Sequence, residues 1–353
     1  MTHYSEIDTP AVLIDLDRVE FNLRKAQAFA DKAQLRLRPH IKTHKLPRFA
    51  QWQMDLGAVG ITVQKLGEAE VMADAGLTDM LLTFNVIGTK KLNRLKALHQ
   101  RITISVVADS PECVAGLAAT FTDPDHRLGV FVECDTGGGR CGVQSPDVAL
   151  ALTRAILAAP GLAFAGLMTY PAAGKYRETA SWLRRAKALF DEHDIAVPTI
   201  TTGGTPDLWH SNEAGVATEY RPGTYIYMDR SQVAAGAATF EECALTVLAT
   251  VVSHPTPDRA IIDAGSKALT SDLLGLTGYG YVVEYPNARI VGLSEEHGTI
   301  DLSDCTQKPA IGDTIRIIPN HCCPVSNLYD HVHLVQNGQL VETVAVAARG
   351  RVD

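Results

Sequence analysis

LGVFVECDTGGGRCGVQSPDVALALTRAILAAPGLAFAGLMTY, residues 128–170, holds one complete repeat of the chain's architecture. LGVFVECD (128–135) is a short apolar run of strand-forming residues, SPDVALALTRAILAA is amphipathic at helical spacing, and Pro160-Gly161 separates it from the next apolar run, FAGLMTY (164–170). The same alternation extends outward in both directions. Strand-like runs fall at 35–42 (LRLRPHIK), 59–64 (VGITVQ), 80–86 (MLLTFNV), 102–109 (ITISVVAD), 199–204 (TITTGG) and 219–228 (EYRPGTYIYM), which with the two above makes eight. Amphipathic segments such as LPRFAQWQMDL, LGEAEVMADAG, TKKLNRLKALHQ and ETASWLRRAKALFDEHD lie between them. Strand followed by helix, repeated eight times, predicts an α/β fold with a parallel (β/α)8 TIM-like barrel. A doubly wound open sheet has fewer strands and a GxGxxG turn after the first, and that turn is absent.

Beyond about residue 240 the periodicity changes. ALTVLATVVSH, RAIIDAG, YGYVVEY, DTIRIIP, HVHLV and VETVAVAARG read as strands without intervening helices, and Asn337-Gly338 is placed as a hairpin turn. This predicts a mostly antiparallel C-terminal β-domain, with which the early strand AVLIDLD can pair. The expected boundaries are 17–235 for the barrel, and 1–16 with 236–353 for the β-domain.

Composition narrows the function classes. At 353 residues, with 46% hydrophobic and 20% charged residues, the chain can bury a sizeable core. A formal net charge of -8, with no basic stretch carrying interleaved aromatics, argues against nucleic acid as a partner. No window is apolar enough for a membrane span, and the N-terminus lacks the basic start and apolar run of a signal peptide. Seven scattered cysteines, odd in number, fit a reduced, cytoplasmic protein.

In this barrel class the active site forms at the C-terminal ends of the strands. The first strand region ends in Arg38-Pro39-His40-Ile41-Lys42-Thr43-His44-Lys45, the second in Gln64, the fifth in the loop Thr136 to Gly142, the sixth in Tyr170, the seventh in Gly203-Gly204-Thr205, and the eighth in Tyr225. A lysine at the end of an inward-facing strand loses solvation, which disfavours its charged form and makes the amine a nucleophile. Lys42 fits that position, with Lys45 as the competing candidate past the strand. Gly203-Gly204-Thr205-Pro206 closes a strand and opens a helix, with Thr205 able to cap; exposed N–H groups there cradle an anion, or simply make a tight turn. Gly137 to Arg140 brings a guanidinium to a loop where backbone can approach a ligand closely. Tyr170 and Tyr225 serve equally well as packing at the barrel rim.

In the β-domain, Pro319-Asn320-His321-Cys322-Cys323-Pro324 follows a strand. If strand geometry continues, His321 and Cys323 project to one face, as an imidazole and a thiolate sharing a metal must. Two protein ligands leave coordination positions for water or substrate, a catalytic rather than structural arrangement. Glu295-Glu296-His297-Gly298 reads as a loop offering His297 for proton transfer.

RPHIKTHK, GITVQKLGEAEVMADAG, CDTGGGRCGV, GGTP, IDAGSKAL, SEEHG and PNHCCPVSNLYD, in that order along almost the whole chain, together resemble the metal-dependent D-threonine aldolase and D-serine dehydratase family. The resemblance implies the alanine-racemase-like, fold-type III arrangement of pyridoxal-phosphate enzymes, a barrel plus a β-domain, working as a homodimer. It implies Lys42 as the Schiff-base lysine, with phosphate around Gly203, Gly204 and Thr205, and with His40, Gln64, Arg140, Tyr170 and Tyr225 around the cofactor. It also implies a divalent metal, Mn2+ or Zn2+ with Mg2+ or Co2+ as alternatives, on His321 and Cys323, gripping the β-hydroxyl of a small β-hydroxy-D-amino acid. Two positions depart from the aldolase pattern. D-threonine aldolases have aspartate where Cys323 stands, the H-x-C form resembling the dehydratases, and Pro171 replaces the histidine that often follows the tyrosine of the sixth strand. QKLGEAEV, TGGGRCGV and FAGLMTY look closer to the aldolase branch. The expected activity is low-specificity D-threonine aldol cleavage; D-serine or 3-hydroxy-D-aspartate dehydration is the alternative, and a metal-free racemase or cofactor-homeostasis protein is more distant.

Overall fold

The computed structural model describes residues 2–213 and 215–353. Two compact units divide the chain. The first comprises Ala26–Lys42, Leu46–Gly223 and Arg351–Asp353; the second comprises the chain up to Lys25, Thr43–Lys45 and Thr224–Gly350. β1 (Ala11–Asp15) belongs to the second unit, and α1 (Leu16–Lys32) begins there and ends in the first.

The first unit is a barrel. Its strands are β2 (Arg36–Leu37), β3 (Ile61–Val63), β4 (Asp79–Leu82), β5 (Thr103–Ala108), β6 (Leu128–Glu133), β7 (Leu162–Met168), β8 (Ile200–Thr202) and β9 (Glu219–Tyr220). All pair in parallel in the order β2-β9-β8-β7-β6-β5-β4-β3. A parallel bridge between His40 and Thr62, with Thr62 N–H donating to Pro39 O at 2.7 Å, joins the two ends and closes the ring. Each of the eight runs in the sequence contributes one strand. The wall helices are α2 (Pro47–Asp55), α3 (Leu66–Asp74), α4 (Thr89–His99), α5 (Pro111–Thr120), α6 (Pro146–Ala158) and α7 (Tyr176–Glu192).

Local chemistry sets these elements. Ser110 and Ser145 accept the N–H groups of Cys113 and Val148 at 3.3 Å, each ahead of a proline in the first helical turn where no N–H is required. α7 buries Thr179, Ala180, Trp182, Leu183, Ala186 and Phe190, the three- and four-residue spacing of one helical face. Inside the sheet, Leu81, Val107, Phe131 and Met168 form one buried cluster. Gly166 lets β7 lie against its neighbour: a Cβ there would come within 1.9 Å of Thr199 O, and its φ is +139°.

The second unit continues with α8 (Arg230–Ala234), β10 (Leu245–Thr256), β11 (Arg259–Ile262), α9 (Ser266–Leu269), β12 (Tyr281–Val282), β13 (Arg289–Leu293), β14 (Gly298–Asp301), β15 (Thr314–Ile318), α10 (Cys322–Leu328), β16 (His331–Gln336) and β17 (Gln339–Ala345). β10 is its spine, pairing antiparallel with β1 and β15 through its first half and with β11 through its second. β1 lies between β10 and β16 and is parallel to the latter, so the early strand does pair with this unit. The Asn337-Gly338 hairpin forms as expected, with both residues at positive φ (50° and 76°) joining β16 to β17. Among the described residues no helix is long and apolar enough to cross a membrane.

Candidate active site

The barrel's strand-end loops converge on Tyr170, whose ring is 45% exposed. Lys42 Nζ lies 5.8 Å and the Arg140 guanidinium 5.0 Å from the centroid of that ring. On the glycine loop, a Cβ added to Gly204 would sit 3.4 Å from the same ring. Four chain segments distant in sequence thus meet at one aromatic side chain at the C-terminal end of the barrel.

Lys42 does not stand on the strand itself. β2 ends at Leu37, and Lys42 lies half-buried in a turn of 3-10 helix, Ile41–Thr43, because the chain leaves the sheet after the His40 bridge. A hydrogen-bond chain fixes this turn. Lys42 N–H donates to His40 Nδ1 at 3.3 Å, which assigns the proton to Nε2 and directs it to Gln64 Oε1 at 3.1 Å; Gln64 Nε2 then donates to Thr83 O at 2.8 Å. His40 and Gln64 therefore act together as the support of the Lys42 backbone.

Gly203 has φ +128°, and a Cβ there would meet the Tyr220 ring and Arg221 N at 2.9 Å, so only glycine fits. The helix that follows, Thr205–His210, is 3-10, and the residue preceding it is Gly204 without a side-chain cap. Thr205 is the first helical residue rather than the cap, and it is buried. Tyr220 Oη donates to Gly204 O at 2.8 Å and holds the loop from beneath.

The strand-end reading missed three groups at this mouth. Asp135 Oδ1 accepts the N–H groups of Gly137, Gly138 and Gly139 at 2.8 to 3.1 Å. Burial works against its charge, but these donors win and hold the carboxyl below the usual range. Arg221, 4% exposed, donates to Thr201 Oγ1 at 2.9 Å and Thr169 O at 2.6 Å, and burial depresses it to about 10. Glu133, 4% exposed at the end of β6, is pushed up to about 7 by burial. A charged residue inside the apolar run LGVFVECD was the available signal. Glu133, Asp135, Gly138, Arg140, Cys141, Tyr170, Pro171 and Ala172 enclose a cavity of about 120 Å³.

The second unit holds its own cluster. His321 immediately precedes α10, and Cys323 is the second residue of that helix, so the expected strand does not continue. The helix starts here because buried Asp229 accepts Cys322 N–H at 3.0 Å, and Pro324 in the first turn has no N–H to satisfy. The pair is nevertheless together: His321 and Cys323 are close enough that each shifts the titration of the other. His321 Nδ1 meets Asp272 Oδ2 at 2.8 Å, and Thr43 Oγ1 meets Cys323 Sγ at 3.2 Å. A hydrogen bond from the Cys322 thiol draws Cys323 well below the ordinary thiol range, against burial and with help from His321. Burial lowers His321, but Cys323 and Asp272 outweigh it and raise the imidazole to about 9. Asn320 Nδ2 donates to Asp272 O at 3.2 Å and Gly278 O at 2.8 Å, tying the His321 segment to the Asp272 loop.

The remaining expected residues are in the second unit. Tyr225 is fully buried in a 3-10 turn, Thr224–Ile226. His297 is exposed in the turn joining β13 to β14, its carbonyl accepting Ser294 N–H at 2.9 Å. Lys45 is buried at φ 56°, with its ammonium 3.4 Å from Ala348 O and its own carbonyl accepting Ala348 N–H. A lysine held to backbone in this way is a poor nucleophile beside Lys42.

A barrel with a lysine, a glycine loop and an arginine gathered at its mouth, joined to a mostly antiparallel unit with a histidine–cysteine pair, defines a class of cofactor-dependent barrel enzyme. Residues 14–231 match the family model of the alanine racemase N-terminal domain, and residues 244–335 that of a putative serine dehydratase domain. D-threonine aldolase of an Arthrobacter species is 36% identical over 98% of this chain and 94% of its own length. 3-Hydroxy-D-aspartate aldolase of Paracoccus denitrificans is 32% identical over 98% and 93%. The crystal structure of D-threonine aldolase from Filomicrobium marinum superposes with a TM-score of 0.92 at 33% identity, covering 99% of this chain and 97% of that one. The chain belongs to the D-threonine aldolase and D-serine dehydratase family, on the alanine-racemase-like fold, and is a pyridoxal-phosphate-dependent lyase.

Both groups that this family implies find suitable donors. Gly203 and Gly204 leave a cradle that a Cβ would fill, between Tyr220 and Tyr170, which suits a phosphate bound by backbone N–H groups. An imidazole whose Nδ1 is engaged by a carboxylate, next to a thiol drawn well below its ordinary range, is a donor set for a borderline metal. Among the described residues no third histidine, cysteine, aspartate or glutamate completes a larger group.

Proposed function

We propose that this chain is a low-specificity D-threonine aldolase that splits β-hydroxy-D-amino acids into glycine and an aldehyde. The convergence of Lys42, Arg140 and Gly204 on Tyr170 is the observation that carries this reading. Pyridoxal phosphate, when bound, supplies a conjugated ring that takes up the electron pair left on Cα. A divalent metal on His321 and Cys323, Mn2+ or Zn2+, would supply Lewis acidity toward the β-hydroxyl.

The chain's own residues divide the remaining work. Lys42 presents its amine to the cofactor aldehyde, on a backbone braced by His40 and Gln64. The N–H groups around Gly203, Gly204 and Thr205 hold the phosphate, with Arg140 and Tyr170 beside the ring. Aldol cleavage breaks Cα–Cβ, and the β-hydroxyl proton must leave to a base as the aldehyde forms. Pro171 lines the Tyr170 cavity and offers no proton acceptor. His297, exposed at the β13–β14 turn, is the proposed base. We place the enzyme in the cytoplasm as a homodimer.

Cys323 supports a second reading. A thiolate is a softer, stronger donor than carboxylate, leaving the metal less Lewis acidic but more tightly held. The His321-x-Cys323 pattern resembles that of the dehydratases, which supports dehydration of D-serine or 3-hydroxy-D-aspartate to a keto acid and ammonia, in which the α-proton rather than the Cβ fragment leaves. Product analysis separates the two. Acetaldehyde and glycine from D-threonine, with little pyruvate from D-serine and little turnover of L-enantiomers, is expected. Pyruvate and ammonia from D-serine without acetaldehyde from D-threonine would reject the aldolase reading.

A further inference from the structure

We propose that Arg230 is a positioning residue for the His321–Cys323 metal site: its guanidinium ties the Thr277–Gly278 backbone to Asn320 and so keeps the Asp272 carboxylate on His321. Asp272 needs such support. It lies in the irregular stretch between α9 and β12, where Thr270, Leu274, Gly275 and Gly278 all have positive φ and where Leu273 and Leu274 are exposed. Its carboxylate is nevertheless placed 2.8 Å from His321 Nδ1.

Two side chains hold that stretch by its carbonyl groups. Arg230 Nη1 donates to Thr277 O at 2.8 Å and, over a longer 3.4 Å, to Gly278 O; the same nitrogen donates to Asn320 Oδ1 at 3.0 Å. A guanidinium has donors only, so it fixes which way the Asn320 amide is turned. Asn320 Nδ2 is thereby aimed at the loop, where it donates to Gly278 O at 2.8 Å and to Asp272 O at 3.2 Å. Asn320 is buried and immediately precedes His321, so the relay runs from Arg230 to both members of the Asp272–His321 contact.

The start of α8 anchors Arg230 in turn. Asp229 accepts Gln232 N–H at 3.1 Å, Arg230 N–H donates to Pro319 O at 3.1 Å, and Ser231 N–H donates to Asn320 O at 3.2 Å. The other oxygen of Asp229 accepts Cys322 N–H at 3.0 Å. These two adjacent residues therefore grip the cluster from both sides, Asp229 through the helix that carries Cys323 and Arg230 through the loop that carries Asp272. Arg230 is half-buried, its charge is disfavoured by that burial, and among the described residues no carboxylate forms an ion pair with it. An arginine kept for solubility would leave its guanidinium in water; this one gives it to three oxygens around the support of His321. A carboxylate on Nδ1 fixes the orientation of an imidazole that ligates a metal through its other nitrogen, so holding Asp272 in place preorganises the site. The inference rests on the metal reading given above for His321 and Cys323.

The test is a double-mutant cycle in metal affinity. Zn2+ is titrated by calorimetry into metal-free wild type, Arg230→Met, Asp272→Ala and the double variant, all with pyridoxal phosphate bound. Arg230→Met should weaken Zn2+ binding about fivefold or more, and should cost nothing further once Asp272 is alanine. Wild-type affinity in Arg230→Met, or losses that multiply in the double variant, would overturn the proposal. Asn320→Ala interrupts the same relay one link later and covers a failure of Arg230→Met to fold: the same loss is expected, and wild-type affinity there is equally fatal. A purely structural arginine would lower the urea midpoint of the metal-free protein and would leave the Asp272→Ala background as sensitive to its loss as the wild type. If wild type itself binds no Zn2+, the metal reading fails and takes the positioning role with it, a result distinct from tight binding that ignores Arg230.

Discussion

The barrel mouth and the His321–Cys323 cluster solve the same problem by different means. At the mouth, each group sits on the loop that its own strand delivers, and the supports are largely local: Asp135 holds Gly137 to Gly139, and His40 holds Lys42 two residues on. In the second unit the pair is local but its supports are remote, with Asp272 and Asp229 roughly 50 and 90 residues away and Thr43 nearly the length of the chain. Groups placed by strand ends tolerate substitution of neighbours, because the sheet sets their positions. Groups placed by remote hydrogen bonds depend on each partner.

The largest expected effect tests the first half of that contrast. Lys42→Ala should lose all turnover and the borohydride-trapped covalent adduct, while Lys45→Ala, which removes only the ammonium that bonds Ala348 O, keeps the adduct; trapping on Lys45 reverses the assignment. Next is metal removal. Chelation should abolish activity without releasing pyridoxal phosphate, and Mn2+ or Zn2+ should restore it; full turnover in metal-free protein would make His321 and Cys323 purely structural. His297→Ala should lower aldolase turnover about a hundredfold, the scale of a lost general base, with near-normal KM. A fall of less than threefold or so places the base elsewhere. The smallest effect is on the remote support. Asp272→Ala should weaken metal binding about tenfold or more, measured by calorimetry, with the barrel-mouth cofactor affinity unchanged. Equal metal affinity in the two proteins removes Asp272 from the cluster.

The barrel was legible because eight strand–helix repeats each carry their own periodicity, and the β16–β17 turn because Asn337-Gly338 supplies two positive-φ residues. Lys42, Arg140, Tyr170 and Gly204 were legible as strand-end residues, and the fold brings them together. What stayed hidden has two causes. Glu133 and Arg221 sit inside strand-like runs, where sequence shows a charge but not the burial that shifts it. Asp272, Asp229 and Asn320 are ordinary polar residues until long-range packing sets them against His321, Cys322 and Gly278. The start of α10, where strand geometry could also have continued, is set by Asp229, the acceptor of Cys322 N–H, which is distant in sequence.

The place of β1 in its sheet has a consequence for synthesis. Ala11 pairs with Leu248, and Leu13 with His333, so this apolar strand leaves the ribosome well before either of its partners is made. At roughly 5–20 residues per second, β1 waits on the order of tens of seconds while all eight barrel strands are made. Over that interval AVLID is a bare strand edge of the kind that recruits chaperones or other nascent chains. Slow or stalled translation beyond the barrel would therefore expose the nascent chain to aggregation through β1.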